Sequence, residues 1–326
     1  MLSAALVLTL LVPAVGHADP LVHTYSIVAR DPATGEMGVA VQSHWFSVGS
    51  IVTWAEAGVG AVATQSFVDP GYGPRALELL RSGVAAPQAL EQLVAKDAQR
   101  DGRQVAIIDA NGQVSAYTGK SAIAAAGHHV GKNYSVQANM MANAGIWPAM
   151  ASAFEQTQGD LADRMLAALE AAEKAGGDVR GRQSAAILIV KAKGTGRPWA
   201  GADRVFDLRV DDDPAPVPEL RRLIRLQRAY AHANRGDELM TEQKVELALK
   251  EYEAASRLAP EIVELPFWHA VTLASIGREA EAAPIFTAVF AKEPIWSELL
   301  QRLPAAGLFP NDPALITRIQ ALRPKP

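Results

Sequence analysis

The chain has no cysteine in its 326 residues, so disulfides, thiolate metal sites and a cysteine nucleophile are excluded, and any chemistry falls to serine, threonine, histidine and carboxylates. Such residues gather in a few places. Asp69, Tyr72 and Arg75 surround a Pro-Gly turn between an apolar run and a proline-opened helix. Binding groups of layered α/β folds collect at such strand-to-helix junctions; the competing reading is a turn aspartate that caps the helix. His44 ends a β-rich run, where it is either a substrate contact or second base, or a hydrogen-bonded structural group. His128 and His129 are adjacent and point to opposite faces of an extended chain, with no Asp or Glu at ligand spacing, so no metal site is expected. Asp211, Asp212 and Asp213 lack the alternating carboxylates and distal Glu of a calcium loop and read as a solvated linker. Gly194-Thr195-Gly196 lacks the Lys-Ser/Thr of a phosphate loop, so no nucleotide site is expected, and nothing else in the chain calls for a cofactor.

Lys and Arg number 31 against 35 Asp and Glu, a formal net charge of −4 without a basic stripe, which argues against a nucleic-acid partner. With 49% hydrophobic and 20% charged residues the composition is that of a globular chain, and its length suggests roughly two domains at about 150 residues each. The first 18 residues carry an apolar run over 2–15, with Gly16 and Ala18 where a signal peptidase reads. Export to the periplasm or medium is therefore expected. The run is short for a membrane span, which needs about 20 apolar residues. No Lys or Arg precedes it, so either the true start lies upstream or the signal is weak.

Elements must position these residues. Residues 24–30 and 37–43 are β-rich runs joined by the turn DPATGE, which predicts a hairpin. Strands are expected over 51–55 and 59–64, helices over 74–80 and 87–96, and a hairpin over 104–118 turning at Asn111-Gly112. A strand at 134–138, helices at 149–155 and 161–175, and a buried strand at 183–190 complete a mixed α+β region. Beyond the acidic, proline-rich stretch 211–218 only helix formers follow. There Ala248, Tyr252 and Pro260 recur as Ala282, Phe286 and Pro294 after 34 residues, the tetratricopeptide length. Trp268 and Trp296 read as core of these repeats, with flanking helices from residue 219 and over 312–322 as caps. The expected domains are a signal at 1–18, an α+β domain over 24–212, a linker over 213–218 and an all-α, tetratricopeptide-like module over 219–326.

The stretches TYSIVARDPATGEMGVAVQSH, AGVGAVATQSF with DPGYGPRALELL, and GGDVRGRQSAAILIV resemble the bacterial family called domain of unknown function 1028, over residues 24–222. That family is placed with the N-terminal nucleophile hydrolases, whose four-layer αββα fold is shared with proteasome β-subunits. The resemblance implies Thr24 as nucleophile. Its own α-amine, with a reference pKa near 7.7–8.0, would take the hydroxyl proton, but only in a chain that begins at Thr24. It further implies oxyanion donors in the backbone near Asn139 and Met140, an orienting polar pair at Gln42 and Ser43, and support from Asp178 and Ser184. The plain alternative for Thr24 is a β-branched residue that starts a strand.

Two features depart from proteasome-like members. The lysine that lies under their threonine has no counterpart in residues 47–54, and cleavage after Ala18 would leave five residues ahead of Thr24. Two functions follow as expectations. The first is an exported hydrolase of a small amide or peptide-like bond, with its helical module serving a protein partner or self-association into a homo-oligomer. The second is a non-catalytic binding or scaffold protein that keeps the fold, and a cell-wall-associated protein is a third.

Overall fold

The computed structural model describes residues 21–22, 24–197 and 201–324; the expected signal segment lies outside them. The chain divides at Val217–Pro218 into two units.

In the first unit two antiparallel sheets face each other. One contains Leu21–Val22 (β1), Thr53–Glu56 (β4), Gly60–Phe67 (β5), Arg103–Asp109 (β6) and Val114–Thr118 (β7). Its order is β1-β5-β6-β7, with β4 also paired to β5. The other contains Thr24–Arg30 (β2), Met37–Ser43 (β3), Gly127–Gly131 (β8), Tyr134–Ala138 (β9), Ser184–Val190 (β10) and Arg204–Val210 (β11), in the order β11-β10-β3-β2-β9-β8. Tyr72–Arg81 (α2) and Ala86–Lys96 (α3) cover the outer face of the first sheet, and Ile146–Gln156 (α4) and Leu161–Lys174 (α5) that of the second.

Period-2 patterning explains the layers. Val39 and Val41 of β3, Ala61 and Ala63 of β5, Ala106 and Ile108 of β6, and Ala186 and Leu188 of β10 meet between the sheets. The intervening Val62, Val105 and Ile107 face α2 and α3 instead. Both faces of β3 and β6 are buried, which is why these strands read as nearly continuous apolar runs. The β2–β3 turn closes as its sequence predicts, with Gly35 at φ +76° and Asp31 Oδ1 accepting from Ala33 N–H at 2.7 Å.

Gly38 marks a close approach in mid-sheet. A Cβ there would lie 2.6 Å from the Leu188 carbonyl oxygen and 2.7 Å from Ile189 Cγ1. Gly38→Ala is expected to cost about 2 kcal/mol of stability through overpacking, read as a lower urea midpoint at unchanged slope; an unchanged midpoint would show that β10 yields freely.

Three expectations need correction. Residues 51–55 do not form one strand: Gly49–Val52 is a short helical turn (α1), and β4 begins at Thr53, whose Oγ1 donates to the Gly49 carbonyl at 2.7 Å. Strands β8 and β11 were absent from the expected elements. The first is Gly-His-His-Val-Gly with an exposed centre, and the second carries charges at three of its seven positions, so neither shows apolar alternation. The stretch 213–218 is not all linker, because a helix starts inside it.

That helix, Pro216–Thr241 (α6), is followed by Val245–Leu258 (α7), Glu264–Ser275 (α8), Glu279–Lys292 (α9), Ile295–Leu300 (α10) and Pro313–Gln320 (α11). The 34-residue offset maps α7 onto α9. Ala248 and Tyr252 on the first, Ala282 and Phe286 on the second, are buried in one core with Phe267 and Phe290. Asp312 caps α11 by accepting from the N–H groups of Ala314 and Leu315 at 2.9 and 3.1 Å. Among the described residues no helix is long and apolar enough to cross a membrane.

Candidate functional site

At one end of the space between the sheets, polar side chains replace the apolar core. Strand register sets the arrangement. Thr24 on β2 pairs with Ser43 on β3, which pairs with Ser184 on β10, and on the other side the Asn139 N–H donates to the Thr24 carbonyl at 3.1 Å. Ser43 and Ser184 have the same parity as the inter-sheet residues Val41 and Ala186, so this cross-strand row of Asn139, Thr24, Ser43 and Ser184 faces the opposite sheet. All four residues are fully buried. The Thr24 hydroxyl donates to Ser43 Oγ at 3.2 Å.

The opposite sheet supplies two amides, Gln65 on β5 and Gln104 on β6, which are register partners. Gln65 Nε2 donates to Gln104 Oε1 at 2.7 Å and to the Thr24 carbonyl at 3.2 Å, and its Oε1 accepts from Ser26 Oγ at 2.6 Å. Gln104 Oε1 also accepts from Asn139 Nδ2 at 3.0 Å. Its Nε2 reaches the Ala138 carbonyl at 2.9 Å and Thr118 Oγ1 at 2.9 Å. Gln137 closes the set by donating to Ser26 Oγ at 2.6 Å. Buried amides of this kind are stabilising only when paired, and here Gln65, Gln104 and Asn139 tie one sheet to the other. The Thr24 carbonyl alone draws Gln65 Nε2, the Asn139 N–H and, at 3.4 Å, Asn139 Nδ2. Asn139 Oδ1 has no hydrogen-bond partner among the described residues.

These amides were missed in the sequence. The usable signal was a Gln at core-facing parity in two runs that are otherwise apolar, GAVATQSF and RQVAIID.

Several expected roles change. Gln42 does not share a face with Ser43: it pairs with Tyr25 on the α5 side of the sheet, and both of its amide atoms are buried without a hydrogen-bond partner among the described residues. The backbone N–H groups of Asn139 and Met140 are occupied, the first by the Thr24 carbonyl and the second by the Ile123 carbonyl at 2.8 Å. Neither is open to an oxyanion. Asp178 and Ser184 hold the segment that follows Ser43. Asp178 Oδ2 accepts from the His44 N–H at 3.1 Å and from Arg180 Nη2 at 2.7 Å. Ser184 Oγ donates to the Trp45 carbonyl at 2.5 Å and accepts from the Val48 N–H at 3.1 Å. His44 is half-buried at this strand end.

Of the expected substrate contacts at the strand-to-helix junction, Tyr72 is corrected. It is fully buried, and its hydroxyl donates to Asp97 Oδ2 at 3.0 Å. Asp69 and Arg75 form a partly exposed ion pair at 2.5 Å, and Asp69 Oδ1 also accepts from the Gly71 N–H at 2.8 Å, the turn role weighed as its alternative.

The Tyr72 partner Asp97 is the group here whose titration bears on stability. Burial raises its carboxyl pKa, but the hydrogen bonds from Arg103 Nε (2.8 Å), the Gln99 N–H and Tyr72 outweigh it and hold the group below its ordinary value. A carboxyl depressed in the folded state stabilises fully above its unfolded pKa of about 3.9 and loses that contribution as pH falls through the lower folded value. Stability should therefore decline on acidification below about pH 4, and Asp97→Asn should flatten that decline. An unchanged acid limb in urea titrations of the variant would remove Asp97 from the account.

No curated relative matches the chain. A crystal structure of the protein SPO2555 from Silicibacter pomeroyi, described as a member of DUF1028, is 30% identical, with a TM-score of 0.56 over 62% of this chain and 84% of that one. The family described as a family of unknown function, DUF1028, matches residues 24–220, which include every residue of the polar row and both bridging glutamines. By that match, over more than half its length, the chain belongs to the DUF1028 family.

Proposed function

We propose that this chain is an exported hydrolase of the N-terminal nucleophile type, acting on an amide or peptide-like bond through Thr24, with a tetratricopeptide-like module after it. The helix–sheet–sheet–helix layering agrees with the αββα architecture of such enzymes. The observation that carries the reading is the position of Thr24: it is the first residue of a central strand, its hydroxyl lies against Ser43 Oγ, and its carbonyl is fixed by amides of both sheets.

In the proposed reaction a cut before Thr24 frees its α-amine. That amine takes the Oγ1 proton as the oxygen attacks the substrate carbonyl, then returns it to the departing amine. Water attacks the resulting ester in the same way and restores the hydroxyl. Ser43 accepts the Thr24 O–H hydrogen bond and aims it, while Asp178 and Ser184 hold the segment behind Ser43.

The test is the intact mass and N-terminal sequence of the protein recovered from the periplasm or medium of its native host. A mature chain that starts at Thr24 is the expected result. A chain starting at Asp19, or one that keeps the first 18 residues, would end this mechanism. One observation favours a non-catalytic binding protein instead: in the uncut chain Thr24 is fully buried, and among the described residues no Lys or Arg is one of its hydrogen-bond partners. On that reading Thr24→Ala leaves partner binding unchanged.

A further inference from the structure

The helical unit, beyond the residues that match the family, contains a cavity of about 460 Å³ between α6, α7 and α8. Its lining is chemically one-sided. Tyr230, Tyr252 and Trp268 contribute aromatic surface, Asp237 and Glu264 contribute carboxylates, Asn234 an amide, and among the described residues no Lys, Arg or His lines it. Each carboxylate is held by an aromatic donor. Glu264 accepts from the Tyr230 hydroxyl at 3.1 Å and from Trp268 Nε1 at 3.3 Å, and Asp237 Oδ1 accepts from the Tyr252 hydroxyl at 2.7 Å. Among the described residues neither acid has a basic partner, whereas most other acids of this unit, such as Glu261 with Arg225, Glu279 with Arg318 and Glu281 with Arg278, are paired.

Aromatic surface and unpaired carboxylates in one concavity complement a planar organic cation. A guanidinium stacks on aromatic faces and donates to carboxylates in a forked geometry, whereas an ammonium is a compact and more strongly hydrated charge. The volume falls in the range of roughly 300–1,000 Å³ typical of ligand pockets. We propose that this cavity is a receptor for an arginine side chain carried by a peptide segment. Burial together with hydrogen bonding to the carboxylates pushes the Tyr230 and Tyr252 phenols upward, so both remain protonated donors at ordinary pH. The arginine head lies between Asp237 and Glu264, with the rings against its plane and its stem.

The experiment is calorimetric titration of the full chain with acetyl-Ala-Arg-Ala-amide and with its citrulline counterpart, which keeps the planar shape and loses the charge. The arginine peptide is expected to bind at least about tenfold more tightly than the citrulline one, and the lysine peptide to fall between them. Asp237→Asn and Glu264→Gln keep an acceptor for each aromatic donor while removing the charge, and each should weaken the arginine peptide about tenfold and leave the citrulline peptide unchanged. A second readout needs no variant: affinity for the arginine peptide should fall as salt is raised. Equal affinity for arginine and citrulline, no binding at millimolar peptide, or an affinity indifferent to both carboxylates would each overturn the proposal.

Discussion

Thr24→Ala will abolish covalent labelling of the mature chain by an electrophilic threonine probe and lower turnover of any amide substrate found by at least about 10³-fold, the scale on which removing a nucleophile acts. The same substitution should leave the fold intact. Among the described residues its hydroxyl bonds to Ser43 at 3.2 Å, whereas the contacts that fix the strand end go to the Thr24 backbone. Thr24→Ser restores labelling, because the attacking oxygen and the amine are both retained. Peptide mapping of the adduct is decisive: label on another residue, or equal labelling of Thr24→Ala, would mean that Thr24 is not the nucleophile. Absence of label on a chain already shown to begin at Thr24 would favour the binding-protein reading.

Gln104→Leu should be among the most destabilising single changes outside the apolar core. The side chain is fully buried, and its carbonyl receives both Gln65 Nε2 and Asn139 Nδ2. Leucine fills a similar volume but strands those two donors, together with the Ala138 carbonyl that loses Gln104 Nε2. Each unpaired buried group costs about 1–3 kcal/mol, and the two amides keep a weaker share in the Thr24 carbonyl, so a net loss of about 3–4 kcal/mol is expected. For a domain of this size that corresponds to a fall in Tm on the order of 10 °C. Gln65→Leu should cost nearly as much, and the double variant less than the sum, because both remove the Gln65–Gln104 hydrogen bond. Additive losses in that cycle would show that the two glutamines act independently.

Much of this architecture was legible in the residues because one face of each element is apolar. The β2–β3 hairpin, the Asn111-Gly112 hairpin and the helices α3 and α5 follow from turn chemistry and period alone. The 34-residue offset between Tyr252 and Phe286 likewise located equivalent helices, since both rings fill the same core. Strands β8 and β11 escaped because they lie at sheet edges, where one face is open and periodicity carries little signal. The site divided along similar lines. Thr24, Ser43 and Ser184 lie in one cross-strand row, and Asp178 binds the segment after Ser43, because register and short segments bring them to one sheet end. Gln42 was placed with its neighbour by adjacency, although alternation sends consecutive side chains to opposite faces. Gln65 and Gln104 act across a gap between two sheets, a relation that no local pattern in either strand encodes.

The polar row also bears on how the sheets find their pairing. Strands as uniformly apolar as β3 and β10 carry little to tell one alignment from the next, since valine, alanine and isoleucine occupy both faces. Sliding β2 by one residue would bring Tyr25 into the space between the sheets, turn Thr24 toward α5, and take the Ser26 hydroxyl and the Thr24 carbonyl away from Gln65. Only one alignment satisfies them. The hydroxyls and amides thus act as a proofreading mark for the sandwich, penalising a misaligned closure.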